Sequence, residues 1–180
     1  MTSDLDLQAR ACRTGEDIRA WFQAAHDPAD ADHLTLLQQG RIYEPKALAD
    51  KRHRRTAGQR TDPEYACVLN AQLVTMQRSW NYVEGFAVRA GDHLGVQNHA
   101  WNLGADDRNA DTTWDVEGIA YFGMPFTYLE VIQNWRCNAE SRTPLLPGLA
   151  GLIGPISVGD YMGVRMDDDG RLVFDGIVDD

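Results

Sequence analysis

Cysteine is scarce in this chain, and the three present, Cys12, Cys67 and Cys137, are odd in number and widely spaced. Such spacing makes no disulfide framework, and without a C-x-x-C pair a zinc ribbon or dithiol redox motif is excluded. Basic residues are outnumbered, 17 Lys and Arg against 27 Asp and Glu, leaving a net charge of -10. An acidic surface repels phosphate backbones, which argues against a nucleic-acid partner. Long apolar runs are also lacking. No stretch approaches the roughly 18 residues needed to span a bilayer, so no membrane partner is expected. The first residues, from Met1 to Asp6, show neither a basic n-region nor an apolar h-region. No signal peptide is expected, and a reducing cytoplasm is the simplest location.

Several motifs are missing as well. There is no G-x-S-x-G, no G-x-x-x-x-G-K-[ST], no G-x-G-x-x-G after a strand and no H-E-x-x-H. These absences count against an α/β-hydrolase elbow, a nucleotide site and a zincin centre. The acidic run Asp167-Asp168-Asp169-Gly170 is no EF-hand loop, because Arg165 stands at the first ligand position. No cofactor and no metal are expected.

What is present fits an α+β protein of one domain, or one domain with a helical extension, in 180 residues. The first third reads as helical. Thr14, with Asp17 three residues on, offers an N-cap, and Ile18, Trp21, Phe22 and Ala25 follow at helical spacing until Asp27-Pro28. A second helix over residues 31–39 would point Leu34, Leu36 and Leu37 inward and stop at Gly40. Residues 44–60 read as mixed helix and loop. Their basic run, Lys51-Arg52-His53-Arg54-Arg55, suits a solvated face or a docking patch for an acidic partner. Asp62-Pro63 then opens a helix over residues 64–79. After it the period changes to two. Strands are expected over residues 82–88, 96–103 and 110–114, the last two joined by the polar loop 104–109. A helix over residues 127–137 with the stripe Tyr128, Val131, Ile132 and Trp135 follows, then a Gly/Pro-rich loop over 144–159. Asp169-Gly170 marks a terminal hairpin. Helices followed by antiparallel strands give an α+β order, with an N-terminal helical extension over residues 1–60 and a core over 61–180.

Three segments carry chemistry. Cys67 falls in the first turn of its helix, where the dipole and orphan N–H groups favour a thiolate. His99 lies on one strand and Asp111 on the next. Twelve residues separate them, so a hairpin centred near residue 105 lets them share a face. Asp111 would fix the imidazole tautomer while the other ring nitrogen faces Cys67, the nucleophile–base–orienter arrangement of a triad.

These residues carry a resemblance. Cys67 on a helix, then Tyr82-Val83-Glu84-Gly85-Phe86-Ala87, then His99-Ala100-Trp101, then Asp111-Thr112-Thr113-Trp114 resembles the transglutaminase-like superfamily, a branch of the papain-like fold. The likeness covers residues 62–116. It departs at Thr112, where the family has proline, and lacks the glycine-tryptophan pair often found before the cysteine. The resemblance implies a catalytic helix packed on an antiparallel sheet and a Cys67–His99–Asp111 triad acting on a protein or peptide. The family is common in bacteria and their phages. For the oxyanion, the Cys67 backbone N–H is the natural first donor, and Gln59 stands where a papain-like glutamine would supply the second.

Each residue also has a plainer reading. Cys67 suits a buried core thiol, and Cys67, His99 and Asp111 are all zinc-ligand types. Trp101 and Trp114 suit core packing as well as a cleft wall, and core is the expectation. Glu84 would touch substrate or face solvent. Asn98 and Asn102 would orient His99 or contact substrate, with solvent-facing positions expected. Tyr121, Phe122 and Gly123 would line the cleft beyond Asp111 or be aromatic core, with core the expectation. His26, His33, His53 and His93 would lie on the surface, and Cys12 and Cys137 would be inert thiols. The expected function is amide hydrolysis as a protease, amidase or deamidase, with transglutamination using the same triad. The alternative is an inactive module that binds a peptide or protein partner in the same cleft.

Overall fold

The computed structural model describes residues 4–45, 63–91, 95–104, 109–111, 113–114, 118–137, 144–152, 164–166 and 172–174. Among these residues the chain is α+β, with five α-helices and a curled five-stranded antiparallel sheet. The order is α1 (Asp4–Ala11), α2 (Gly15–Ala25), α3 (Ala31–Gln39), β1 (Arg41–Tyr43), α4 (Pro63–Arg78), β2 (Asn81–Arg89), β3 (Val96–Leu103), β4 (Asn109–Ala110), β5 (Gly118–Phe126) and α5 (Tyr128–Cys137). A 3-10 helix, Pro147–Leu152, and the hairpin β6 (Val164–Met166) and β7 (Leu172–Phe174) complete the described chain.

Local rules account for the helix ends. Thr14 and Asp17 form a capping box, with Asp17 N–H donating to Thr14 Oγ1 at 3.1 Å and Thr14 N–H to Asp17 Oδ2 at 2.9 Å. Asp30 caps α3 by accepting from the Asp32 and His33 N–H groups. The inward face of α3 differs from its expectation. Leu36 is buried and Leu37 half-buried, but Leu34 is 38% exposed, and His33 takes a buried position instead. His33 is therefore not a surface residue. One ring nitrogen accepts from the Asp27 N–H at 2.9 Å and the other donates to the Gly148 carbonyl at 3.1 Å, so no polar atom of the ring is stranded. His26 is half-buried, and His53 and His93 lie outside the described residues, as do Gln59 and the basic run at 51–55.

The sheet has the order β1-β5-β2-β3-β4. Side-chain alternation gives it two faces. Tyr82, Phe86, Val88 and Ala100 face the larger core, which also takes Ile18, Trp21 and Phe22 of α2, Leu36 of α3 and Cys67, Leu69 and Leu73 of α4. Trp21 and Phe22 pack on Phe86 at centroid distances of 5.4 and 5.1 Å. Val83, Ala87, Trp101, Leu103, Trp114 and Tyr121 form a second cluster. Asn102 ties α4 down. It is fully buried rather than solvent-facing, and its side-chain amide donates to the Ala71 carbonyl at 2.9 Å and to Thr75 Oγ1 at 3.0 Å.

Three features differ from the sequence reading. β1 was not anticipated, and the strand expected over 110–114 is only Asn109–Ala110. β5 lies between β1 and β2 although Gly118, Gly123 and Pro125 break its pattern. Pro125 pairs with Val83 of β2, while β1 reaches only residues 121–123, so the missing N–H falls where no second neighbour needs it.

The segment after α5 is held by two carboxylates. Glu84 neither meets solvent nor lies open to a ligand. It is 3% exposed, and its two oxygens accept the Leu145 and Leu146 N–H groups, each at 2.7 Å, while Oε1 also accepts the Tyr82 hydroxyl. Asp32 of α3 accepts the Gly148 N–H at 2.8 Å. Burial raises the Glu84 pKa to about 7 from 4.5, against the pull of its three donors. The folded chain therefore holds this proton more tightly than the unfolded chain. Stability from this group is greatest below pH 4.5 and falls as pH rises to about 7, by on the order of 3 kcal/mol. Glu84→Gln should abolish that slope, and its one acceptor oxygen should leave an N–H unpaired. Urea unfolding at pH 5 and pH 8 should thus show the variant well below wild type at the lower pH and closer to it at the higher. Parallel stability profiles would show that Glu84 does not titrate in this window.

Candidate active site

His99 and Asp111 meet on the second face of the sheet. β3 carries His99, and the short β4 pairs with the end of β3, placing Asp111 one residue beyond the ladder. His99 Nε2 lies 2.6 Å from Asp111 Oδ2, with the two residues 2% and 5% exposed. Asp111 Oδ1 accepts the Thr113 N–H at 3.0 Å and the Trp114 N–H at 3.3 Å. Oδ2 accepts the Tyr121 hydroxyl at 3.1 Å as well. These contacts supply the hydrogen bonds a buried carboxylate requires.

The electrostatics follow from the packing. Burial works against the charge on Asp111, but the His99 imidazole and the two backbone N–H groups outweigh it and hold the carboxyl below its ordinary value. Burial likewise works against protonated His99. The Asp111 carboxylate and a hydrogen bond with the Cys67 side chain reverse that effect, and the His99 pKa rises to about 9. With its pKa near 9 the ring is cationic at neutral pH, and Nε2 donates to the ionised Asp111.

Cys67, on α4, is a further side chain that raises the His99 pKa. It is 8% exposed and is the fifth residue of the helix, just past the first turn rather than within it. A regular ladder gives its backbone N–H to the Pro63 carbonyl, so that N–H is not a free oxyanion donor. The other thiols differ. Cys12 is buried, its pKa pushed up to about 11 by that burial and then by Asp17, while Cys137 is exposed.

Two indoles box the imidazole. Trp114 stacks on it at a centroid distance of 3.9 Å and 14°, and Trp101 lies near parallel at 6.1 Å. Both are buried, so their role in the structure is packing around His99. Gly85 sits opposite His99 in the ladder. A Cβ there would run into the Phe122 carbonyl and Gly123 backbone, so glycine permits the close approach of β5. Asn98 is half-buried on the opposite face of β3, shared with Ala100 and Asn102. The sequence reading offered Tyr121 as a residue beyond Asp111 but not its bond to that carboxylate, because β5 approaches Asp111 only through the curl of the sheet.

Among the described residues no group of three or more His, Cys, Asp or Glu is disposed to hold a metal ion, and no helix is long and apolar enough to cross a membrane. The pairing energy of His99 is fully present below pH 6.5 and is lost as pH rises through about 9, whereas that of Asp111 is lost only as pH falls through its lowered pKa. NMR of the imidazole should show His99 titrating near 9, and Asp111→Asn should drop it below 6.5, because burial then acts with the carboxylate charge removed. A titration unmoved by that change would show that Asp111 does not set the charge of His99. Comparison of the chain with protein-family models, with curated proteins and with solved structures gives no match.

Proposed function

We propose that this protein is a cysteine-dependent acyl-transfer enzyme of the papain-like, transglutaminase-like type, cleaving an amide in a protein or peptide. The reading is supported above all by one observation: a buried imidazole held at 2.6 Å by a buried carboxylate, with Cys67 the further side chain that raises its pKa. At neutral pH His99 is the imidazolium, stabilised by Asp111, and the proton on its Nδ1 is the one Cys67 has given up, so the pair works as thiolate and imidazolium. The thiolate attacks the amide carbon. The tetrahedral intermediate then collapses as His99 protonates the departing amine, leaving a thioester on Cys67. His99 next removes a proton from water, which attacks the thioester and releases the acid and the free thiol. Water is the favoured acceptor because it is the most abundant nucleophile at any site that does not exclude it; an amine entering at the same step would give transglutamination.

Iodoacetamide should alkylate Cys67 at neutral pH at least ~10-fold faster than the exposed Cys137, with Cys12 slower still. Mass spectrometry of the labelled peptides gives the rates, and His99→Ala should remove the advantage of Cys67. Cleavage of a peptide amide should vanish in Cys67→Ala, by ~10³-fold or more. It should decline above about pH 9, where His99 loses the proton it delivers to the leaving amine. Slow labelling of Cys67, no faster than the other thiols, would instead favour a non-catalytic module that binds a peptide or protein partner.

A further inference from the structure

Tyr121 stands on β5, and β2 and β3 lie between that strand and β4, which Asp111 follows. A hydrogen bond across that span requires β2 to be low on this face. It is: in the ladder Ala87 is the partner of Tyr121, and Gly85 is the partner of His99. The start of β5 is also shaped for the phenol. The register shifts between Val88 and Arg89, whose partners are Ala120 and Gly118, so Ile119 is the extra residue of a bulge. A Cβ on Gly118 would fall on the Tyr121 hydroxyl and ring edge. The sequence thus keeps a glycine where the phenol needs room. The ring is then fixed between Trp101 at 5.0 Å and Trp114 at 6.2 Å, the same indoles that flank His99.

We propose that Tyr121 is a positioning residue of this site, dividing Asp111 Oδ2 between its own hydroxyl and His99 Nε2. The inference rests on the proposed role of His99 as base, although its geometry stands without it. Oδ1 is already held by the Thr113 and Trp114 N–H groups, so the carboxylate plane is set by the backbone. Oδ2 has two donors, Nε2 at 2.6 Å and the phenol at 3.1 Å. Donors on one oxygen compete for its charge. The phenol therefore tempers the hold of Asp111 on the imidazolium, and a base that must both take and return a proton works best when neither form is held too strongly. Among the described residues the other ionisable side chain acting on His99 is Cys67, from α4; Trp101 and Trp114 stack on it as rings.

The test compares wild type, Tyr121→Phe and Gly118→Ala in the full chain, with Val83→Ala as a packing change in the same cluster. Imidazole NMR reads the His99 titration. Tyr121→Phe, which keeps the ring, should move the His99 midpoint upward by about half a unit or more, and Gly118→Ala should move it the same way by displacing the phenol. Val83→Ala should lower the melting temperature and leave the midpoint in place. In the amide-cleavage assay Tyr121→Phe should lower kcat several-fold with KM unchanged. A His99 midpoint that stays or falls in Tyr121→Phe overturns the proposal, whatever happens to Gly118→Ala. The titration is readable in an inactive protein, so a shifted midpoint without Cys67 reactivity would refute the acyl-transfer reading and leave the role of Tyr121 intact.

Discussion

A carboxylate withdrawn from water keeps its charge only when protein donors replace the water it has lost, and the placing of Asp111 meets that condition from three directions. The backbone beyond β4 supplies two N–H groups, β3 supplies an imidazole and β5 supplies a phenol. The charge of His99 follows from this arrangement. In turn the arrangement needs the sheet to close over Gly85 and Ala87, while Asn102 ties α4 to β3.

Glu84 is a useful contrast, because it is a second buried carboxylate, on β2 next to Gly85 and on the other face of the sheet. Its oxygens are also occupied, yet its pKa rises to about 7 whereas that of Asp111 falls. Both receive backbone N–H groups. The difference is the neighbouring charge: Asp111 has an imidazole that becomes cationic, whereas Glu84 has the carboxylate of Asp32 nearby. Hydrogen bonds satisfy both groups, but only a counter-charge reverses the cost of burial. Two carboxylates on opposite faces are thereby given separate tasks, one steering the imidazole and the other clamping the segment at Leu145 and Leu146.

The helices were largely legible in the sequence because their ends are governed by local chemistry. Thr14 with Asp17, Asp30 and Gly40 mark boundaries through contacts made within a few residues. The strands β2 and β3 were legible because their period is two. β5 was not, since Gly118, Gly123 and Pro125 are unfavourable in a strand taken alone and are tolerated here only through the bulge, the close approach and the unpaired edge that its neighbours provide. Leu34 and His33 exchanged expected places because a ring with two polar partners can be buried as readily as a leucine.

The sequence by itself determined the helix starts, the two central strands, and the order and spacing that place a sulfur, an imidazole and a carboxylate in one third of the chain. Their placing follows from periodicity and capping, which act over a few residues. The tertiary structure decided that Glu84 and Asn102 are interior ties rather than surface groups, and that Cys67 has already entered the helical ladder. It also brought Tyr121 to Asp111. Those outcomes turn on desolvation and on contacts between residues far apart in the chain, and such energies arise only when the sheet has curled and the helices have closed over it.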